Sequence, residues 1–479
     1  MFFASVCVIG SYLYITAGIL MIWGIYLFGY KMIYKRRIRL LRNRKLIYLF
    51  LGCAVFTSLL HIKSNFFINL YYILWIALCF FFFYGIHSGR SRNSCKREAF
   101  RILGFIVAST TVMMLAGMVL VAFFPQGFEL CGCSFAIHEN RFVGIINNAN
   151  VTAFYANTAF IGSNLLWAIR KSDKTLDTKH KIYYILTAAV NLLALFLSDS
   201  NDSLLMLIVY VCFIFFYVIF KGFRPGIANL LFRVTALILA CVVSAAVLLS
   251  ARTLVQTGIT HLLSLSEPAA QISTGVTAED GQVHIKPDTE RDDETTFKHQ
   301  NKNIDSGRFV IWKQAVCLFE KFPVFGIGKA NVVDYGEIYL GGLKYYDFHN
   351  GLITITISYG LVGLNLFMIF AITAAKTMLK ALFRYRKENR RDGRVLTIIT
   401  AFCAAYCVYS MFEISLLADL SYRVLIFWLL IGLGTSYALS YERSAIHAHE
   451  NIPKRSRSIC RIAKYRAKSA FLPAEKPCK

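Results

Sequence analysis

The sequence predicts an all-α polytopic membrane protein, on three observations. Apolar side chains make up 57% of its 479 residues and charged ones only 16%, with a mean hydropathy of +0.53. A soluble chain of this length needs far more charge to cover its surface. The apolar residues fall into repeated runs of about 17–25, enough to cross roughly 30 Å of hydrocarbon. The basic residues collect in alternate connections between those runs. The net charge of +25 would point to nucleic acid in a soluble chain, but this distribution points to lipid.

The expected spans are 6–30, 46–61, 66–86, 102–124, 151–169, 182–198, 203–220, 227–249, 350–374, 395–415 and 424–440, of which 46–61 is the shortest. No signal-peptide cleavage pattern precedes the first run, which reads as a retained span. Connections 31–45, 87–101, 170–181, 221–226 and 375–394, with the tail 441–479, hold 38 of the 52 Lys and Arg; the opposite set holds 13. Basic connections stay cytoplasmic. The chain therefore divides into membrane helices over 1–249, an extracytoplasmic loop over 250–349, further membrane helices over 350–440 and a basic cytoplasmic tail over 441–479. That tail, "NIPKRSRSICRIAKYRAKSAF", suits anionic lipid better than RNA.

The long outer loop has two parts. Residues 264–305 are polar and rich in Thr, Asp and Glu. Residues 306–348 read as ordered: Asp305 or Ser306 caps a helix near 306–322 with an apolar stripe of Phe309, Trp312, Val316 and Phe319. Pro323 and the glycines of "PVFGIGKAN" end it, and the chain returns to the membrane at His349. The 13 cysteines read mainly as small apolar residues within spans. Cys131 and Cys133, two apart in "ELCGCSF", are expected to carry no disulfide of structural weight. No Cys/His set has metal-ligand spacing, and Asp199 and Asp202 in "FLSDSNDSLLML" read as turn and capping residues.

Three residues can carry chemistry. His349 stands where a polar stretch becomes a span. It is either an interfacial side chain or a general base, since histidine takes up a proton near neutral pH. Arg308 opens the outer helix. It is either a solvated cation or a phosphate ligand, for which the guanidinium fork is suited. Arg141 is the only Lys or Arg in its outer loop, with Glu139 a simple partner for it and a lipid phosphate the alternative. Gly360 and Gly363 read as sites of close helix packing.

Four stretches, in order, resemble the O-antigen ligase and polymerase superfamily of bacterial envelope glycan assembly. "RFVGIINNANVTAFYA" is similar to its Arg…Gly…Asn-Pro-Asn segment, with Asn148-Ala149-Asn150 lacking the proline. "LSDSNDSLL" resembles its Ser-x-Ser-Arg turn, with Asn201 where the family has arginine. "SGRFVIWKQAVCLFEKFPVFGIG" resembles its outer helix, and "HNGLITITISYGLVGL" its His-Asn-x9-Gly-x-x-Gly pattern.

The resemblance covers about residues 140–365. Many family members have twelve spans, where eleven are counted here, and the resemblance implies a bacterial cytoplasmic (inner) membrane with the site facing outward. It implies a glycosyltransferase that moves a glycan from a polyprenyl-diphosphate donor to a glycan or lipid-core acceptor, without cofactor or metal and with inversion. His349 would be the base. Arg308 and Arg141 would hold the diphosphate, Arg141 more heavily because Asn201 is not a cation. Asn350, Trp312, Asn148, Asn150 and Asn201 would support them. A lipid-linked glycan flippase and a non-catalytic family member are the alternatives.

Overall fold

The computed structural model describes residues 41–130, 133–222, 226–266, 308–343, 347–384, 392–417 and 419–450, with a few positions of 22–30. The expected span 6–30, the loop 267–307 with the expected caps Asp305 and Ser306, and the tail beyond 450 lie outside the described residues, wholly or almost so.

Each expected span from 46–61 to 424–440 coincides with a helix. These are α1 (Arg44–Leu60), α2 (Phe66–Ala77, continued by a π-helical turn over Leu78–Tyr84), α3 (Arg92–Phe123), α4 (Ala149–Ser172), α5 (Thr178–Leu197), α6 (Asn201–Phe220) and α7 (Ile227–Ser266). Outer helices α8 (Arg308–Lys321) and α9 (Val332–Leu340) follow, then α10 (Gly351–Arg384), α11 (Asp392–Tyr409) and α12 (Tyr422–Glu450). Among the described residues, seven helices are long and apolar enough to cross a membrane: α2 with its π-helical turn, α3, α5, α6, α7, α10 and α12. The chain is a multi-pass helical membrane protein.

Helix α4 lies inside this bundle. It packs on α3, α5, α6 and α11, and it buries polar Asn157, Thr158 and Ser163 along with its apolar face. Asn157 donates to the Ser203 carbonyl at 2.9 Å, while its own Oδ1 is left without a partner. By contrast α7 packs only against one side of the bundle and leaves large apolar residues such as Ile238, Leu239 and Val242 exposed, as a lipid-facing helix does.

Three features depart from expectation. The protein is not wholly helical: β1 (Phe128–Leu130), β2 (Cys133–His138) and β3 (Arg141–Gly144) form an antiparallel sheet in the order β1-β2-β3 between α3 and α4. The β2–β3 turn is Glu139-Asn140, both with positive φ, as a two-residue hairpin turn requires. Cys133 is disulfide-bonded, where the sequence led us to expect no disulfide of structural weight. Helix α7 runs seventeen residues past the expected end at 249, because nothing at 249–250 breaks it and Leu254 and Val255 continue its apolar character.

The outer helix α8 forms, but with another face inward. Ile311, Ala315 and Leu318 are buried, whereas Phe309 and Val316 of the expected stripe are 67% and 54% exposed. The two stripes overlap at helical spacing, and packing onto α9 and α10 selects the first. Trp312 and Phe319 flank the buried face.

What fastens this outer layer to the bundle is a break in α10. Gly360 has φ 64° and ψ −170°, values no helix allows. The segment after α8 fills the break by backbone pairing: Ile327 and Gly328 N–H donate to the Ile357 and Ser358 carbonyls at 3.0 and 2.8 Å. In return, Leu361 and Val362 N–H donate to the Pro323 and Val324 carbonyls at 2.8 and 3.1 Å. The chains approach so closely that a Cβ on Gly360 would fall on Val324, and one on Gly326 would meet Ile357 and Gly360. Thr57 and His61 of the α1 end hold the same segment, bonding the Phe325 and Gly326 carbonyls at 2.7 and 3.0 Å.

Gly360→Ala should therefore cost more than the roughly 1–2 kcal/mol of left-handed strain alone, seen as less folded protein and an earlier melting transition in detergent. Gly52→Ala, in open space on α1, should melt no earlier than the parent, since alanine favours a helix.

Candidate functional site

The ends of several elements converge at one end of the bundle: the β3–α4 connection, the α5–α6 turn, the continuation of α7, the start of α8, the turn before α10 and the segment after α11. Arg141 starts β3. It donates through Nε to the Ser198 carbonyl at 3.0 Å and through Nη2 to Asn150 Oδ1 at 2.6 Å. Burial pulls its guanidinium below the usual arginine range, against the opposing pull of Asp199, Glu139 and Asp202. Glu139 is thus one of three carboxylates acting on Arg141.

Arg308 opens α8 and donates through Nη2 to Asp202 Oδ2 at 2.5 Å. Its side chain is 17% exposed and that of Asp202 9%, so the solvated-cation reading fails. Its guanidinium also lies 5.6 Å from the Phe412 ring centroid. One turn along α8, Trp312 Nε1 donates to the Phe348 carbonyl at 3.0 Å, which ties α8 to the residue before His349.

His349 sits in the left-handed region at φ 45°, a conformation that costs a residue with a Cβ about 1–2 kcal/mol and must be imposed by its surroundings. They are visible. Asn350 caps α10, accepting from Leu352 and Ile353 N–H at 3.0 Å each, while its own amide donates to the Met411 carbonyl at 2.9 Å. Gly351 N–H donates to the Ser410 carbonyl at 2.7 Å, and Asp347 Oδ1 accepts from Phe348 N–H at 2.6 Å. The turn thus holds the half-buried His349 within electrostatic reach of both Asp202 and Glu413.

Asn148 and Asn201 have other duties. Asn148 caps α4 from an exposed position, accepting from Val151 N–H at 3.1 Å. Asn201 Oδ1 accepts from Arg252 Nη1 at 2.9 Å.

Arg252 was not singled out from sequence, because it falls in what read as loop. The continuation of α7 carries it to the α5–α6 turn, where it also pairs with Asp199 at 3.2 Å. One turn on, Gln256 donates to the Phe196 carbonyl and to Asp199 Oδ1 at 3.0 and 3.1 Å. A cation thus stands beside Asn201, supplied by a neighbouring helix. Glu413 and Arg423 were missed as well. They pair at 3.3 Å, Arg423 also reaches Asp419 at 3.2 Å, and burial pushes the Glu413 carboxyl up from its usual range against Arg423. Glu413 was legible as the lone carboxylate in the expected span 395–415, the kind of residue that membranes exclude unless it has a task.

Arg141, Arg252, Arg308 and Arg423 are thus interleaved with Asp199, Asp202, Glu413 and Asp419 around His349. Among the buried polar atoms without a hydrogen-bond partner on this end are Ser200 Oγ, Ser203 Oγ and Arg252 Nε. Such atoms are costly unless something fills the place. Among the described residues no group of three or more His, Cys, Asp or Glu is arranged for a metal.

Residues 186–368 match the family model described as O-antigen ligase. Over this stretch, 183 of its 479 residues, the chain is similar to the O-antigen ligase family. The matched stretch contains the α5–α6 turn, Arg252, Arg308, the inserted segment 323–328, His349 and Gly360, whereas Arg141, Glu413 and Arg423 lie outside it. No curated protein matches the chain.

The Arg308–Asp202 pair separates structural from functional loss. Arg308→Ala leaves Asp202 buried and unpaired, and should cost about 3 kcal/mol of stability. The double variant Arg308→Met/Asp202→Leu should recover most of that in a detergent unfolding titration.

Proposed function

We propose that this end of the bundle is the active site of a membrane glycosyltransferase, which transfers or polymerises a glycan from a polyprenyl-diphosphate donor onto an acceptor hydroxyl. The observation that carries the proposal is the convergence of Arg141, Arg252 and Arg308 with His349 on the acids of the α5–α6 turn. In this reading the site faces outward from the bacterial cytoplasmic membrane, as the distribution of basic loops suggests. The donor stores its own energy, which suits a compartment without ATP.

The chemistry balances without a further reactant. The acceptor oxygen attacks the anomeric carbon and its proton passes to His349. The bond from that carbon to the diphosphate oxygen breaks, the electron pair leaves with the diphosphate, and the anomeric configuration inverts. Guanidinium groups stabilise the charge gathering on the leaving oxygen. Each arginine is already held by a carboxylate or a carbonyl, so the fork is oriented before the donor arrives and little ordering remains to be done at binding. Arg252 supplies the cation that Asn201 cannot, so the turn keeps its positive charge and Arg141 need not carry the load alone. Trp312, Asn350 and Asn150 hold the reacting groups in place, and Asn148 holds the helix that bears Asn150.

His349→Ala should lower transfer by about 10²–10⁴-fold while leaving the protein inserted and binding the lipid-linked donor, because a base acts on the acceptor. Ordinary turnover in that variant, measured by product length and released polyprenyl diphosphate, would remove the proposal's centre.

Arg252→Gln should weaken donor binding or turnover, and Arg141→Ala should do so too. Asn201→Arg should not rescue Arg141→Ala, since the new cation would face Arg252. Full rescue would show instead that Arg252 does not occupy the missing position.

A further inference from the structure

At the opposite end of the bundle, about 30 Å along α4 from the arginine cluster at 1.5 Å per residue, lies a cavity of about 890 Å³ between α4, α5, α6 and α11. Its rim carries Lys171 at the end of α4, Lys221 just after α6, and Arg394 at the start of α11. These three side chains are exposed, and none meets a carboxylate among the described residues. Its walls are mainly apolar, and Ile185 on α5 and Val218 on α6, 58% and 48% exposed, open it sideways. On a membrane helix that flank faces acyl chains.

We propose that this cavity binds one anionic phospholipid, with its phosphate between Lys171, Lys221 and Arg394 and an acyl chain entering between α5 and α6. The three unpaired cations call for an anion. The apolar wall and lateral opening distinguish a lipid from a free phosphate, which would need neither. The chain's own tail is a poor occupant, because residues 451–479 are strongly basic and would meet charge of the same sign. The site is independent of the transferase reading, sharing no residue with the cluster around His349.

The test is native mass spectrometry of the full protein, released from nanodiscs of phosphatidylglycerol or of phosphatidylcholine. Phosphatidylglycerol should remain bound at one per chain and raise the melting temperature, and phosphatidylcholine should do neither. The triple variant Lys171→Gln/Lys221→Gln/Arg394→Gln should lose about a hundredfold in apparent affinity, at roughly fivefold per cation near an anionic lipid surface. A control removing as many charges from the same face, Lys174→Gln/Lys179→Gln/Lys181→Gln, should retain binding. Ala188→Trp, which fills the wall of the cavity without touching a charge, should displace the lipid as well and keeps the question open to experiment if the triple variant folds poorly. Equal retention of both lipids, equal loss in the control, or binding unchanged by both the triple variant and Ala188→Trp would each overturn the site.

Discussion

The backbone exchange at Gly360 is the constraint on which the outer half of this protein rests. A membrane helix normally keeps every N–H and C=O in its own ladder, because hydrocarbon offers no substitute. Here α10 gives up part of its ladder, and residues 323–328 replace it with bonds from another segment. The exchange holds the end of α8 against α10. With its far end fixed there, α8 can place Arg308 against Asp202 and Trp312 against the Phe348 carbonyl. The turn carrying His349 is thereby held from two sides, by α8 and by the segment after α11. Two sequence patterns that look independent, the glycines after Pro323 and the glycine eleven residues beyond His349, are the two halves of one joint.

Charge balance explains why this joint can sit beside so many ions. A lone buried arginine or aspartate costs several kcal/mol, and pairing recovers much of that only when the remaining donors and acceptors are met. Asp199, Asp202 and Glu413 each have an arginine, so the cluster brings little net charge into the protein. It is not fully satisfied, however. The oxygens of Ser200 and Ser203 and the Nε of Arg252 keep hydrogen-bonding capacity that no group among the described residues uses.

Much of the helical scaffold could be read in the sequence, because twenty apolar residues in a row leave few alternatives. The small sheet could not. Its strands are three to six residues long, β2 buries four neighbouring residues with no alternation, and its turn is Glu139-Asn140 in place of the recognisable Asn-Gly. His349, Arg308, Asn350 and Trp312 were legible as a pattern, but the reason for their spacing was not, since nothing in one dimension says that a helix will break at Gly360. Arg252 was hidden by a helix end placed too early. Apolar runs report how much chain hydrocarbon covers, whereas α7 continues past residue 249 with Arg252 and Gln256 bonded to the α5–α6 turn. The inward face of α8 was misjudged because two apolar stripes shared one helix and only its partners could choose between them.

The order of the cluster along the chain also bears on how the protein is made. The α5–α6 turn, with Asp199 and Asp202, leaves the ribosome well before its cations do: Arg252 follows Asn201 by 51 residues and Arg308 follows Asp202 by 106. At about 5–20 residues per second, the second gap lasts roughly 5–20 s. Through the first half of that interval both acids, and after it Asp202 alone, stand at the head of a newly inserted helical hairpin without the arginine that later pairs with them. Their repulsion from the apolar phase keeps the turn at the water boundary, so the hairpin cannot sink until α7 and then α8 arrive to close over it. The acids that later orient the arginines first act as floats, setting the depth of α5 and α6 for the helices still to come.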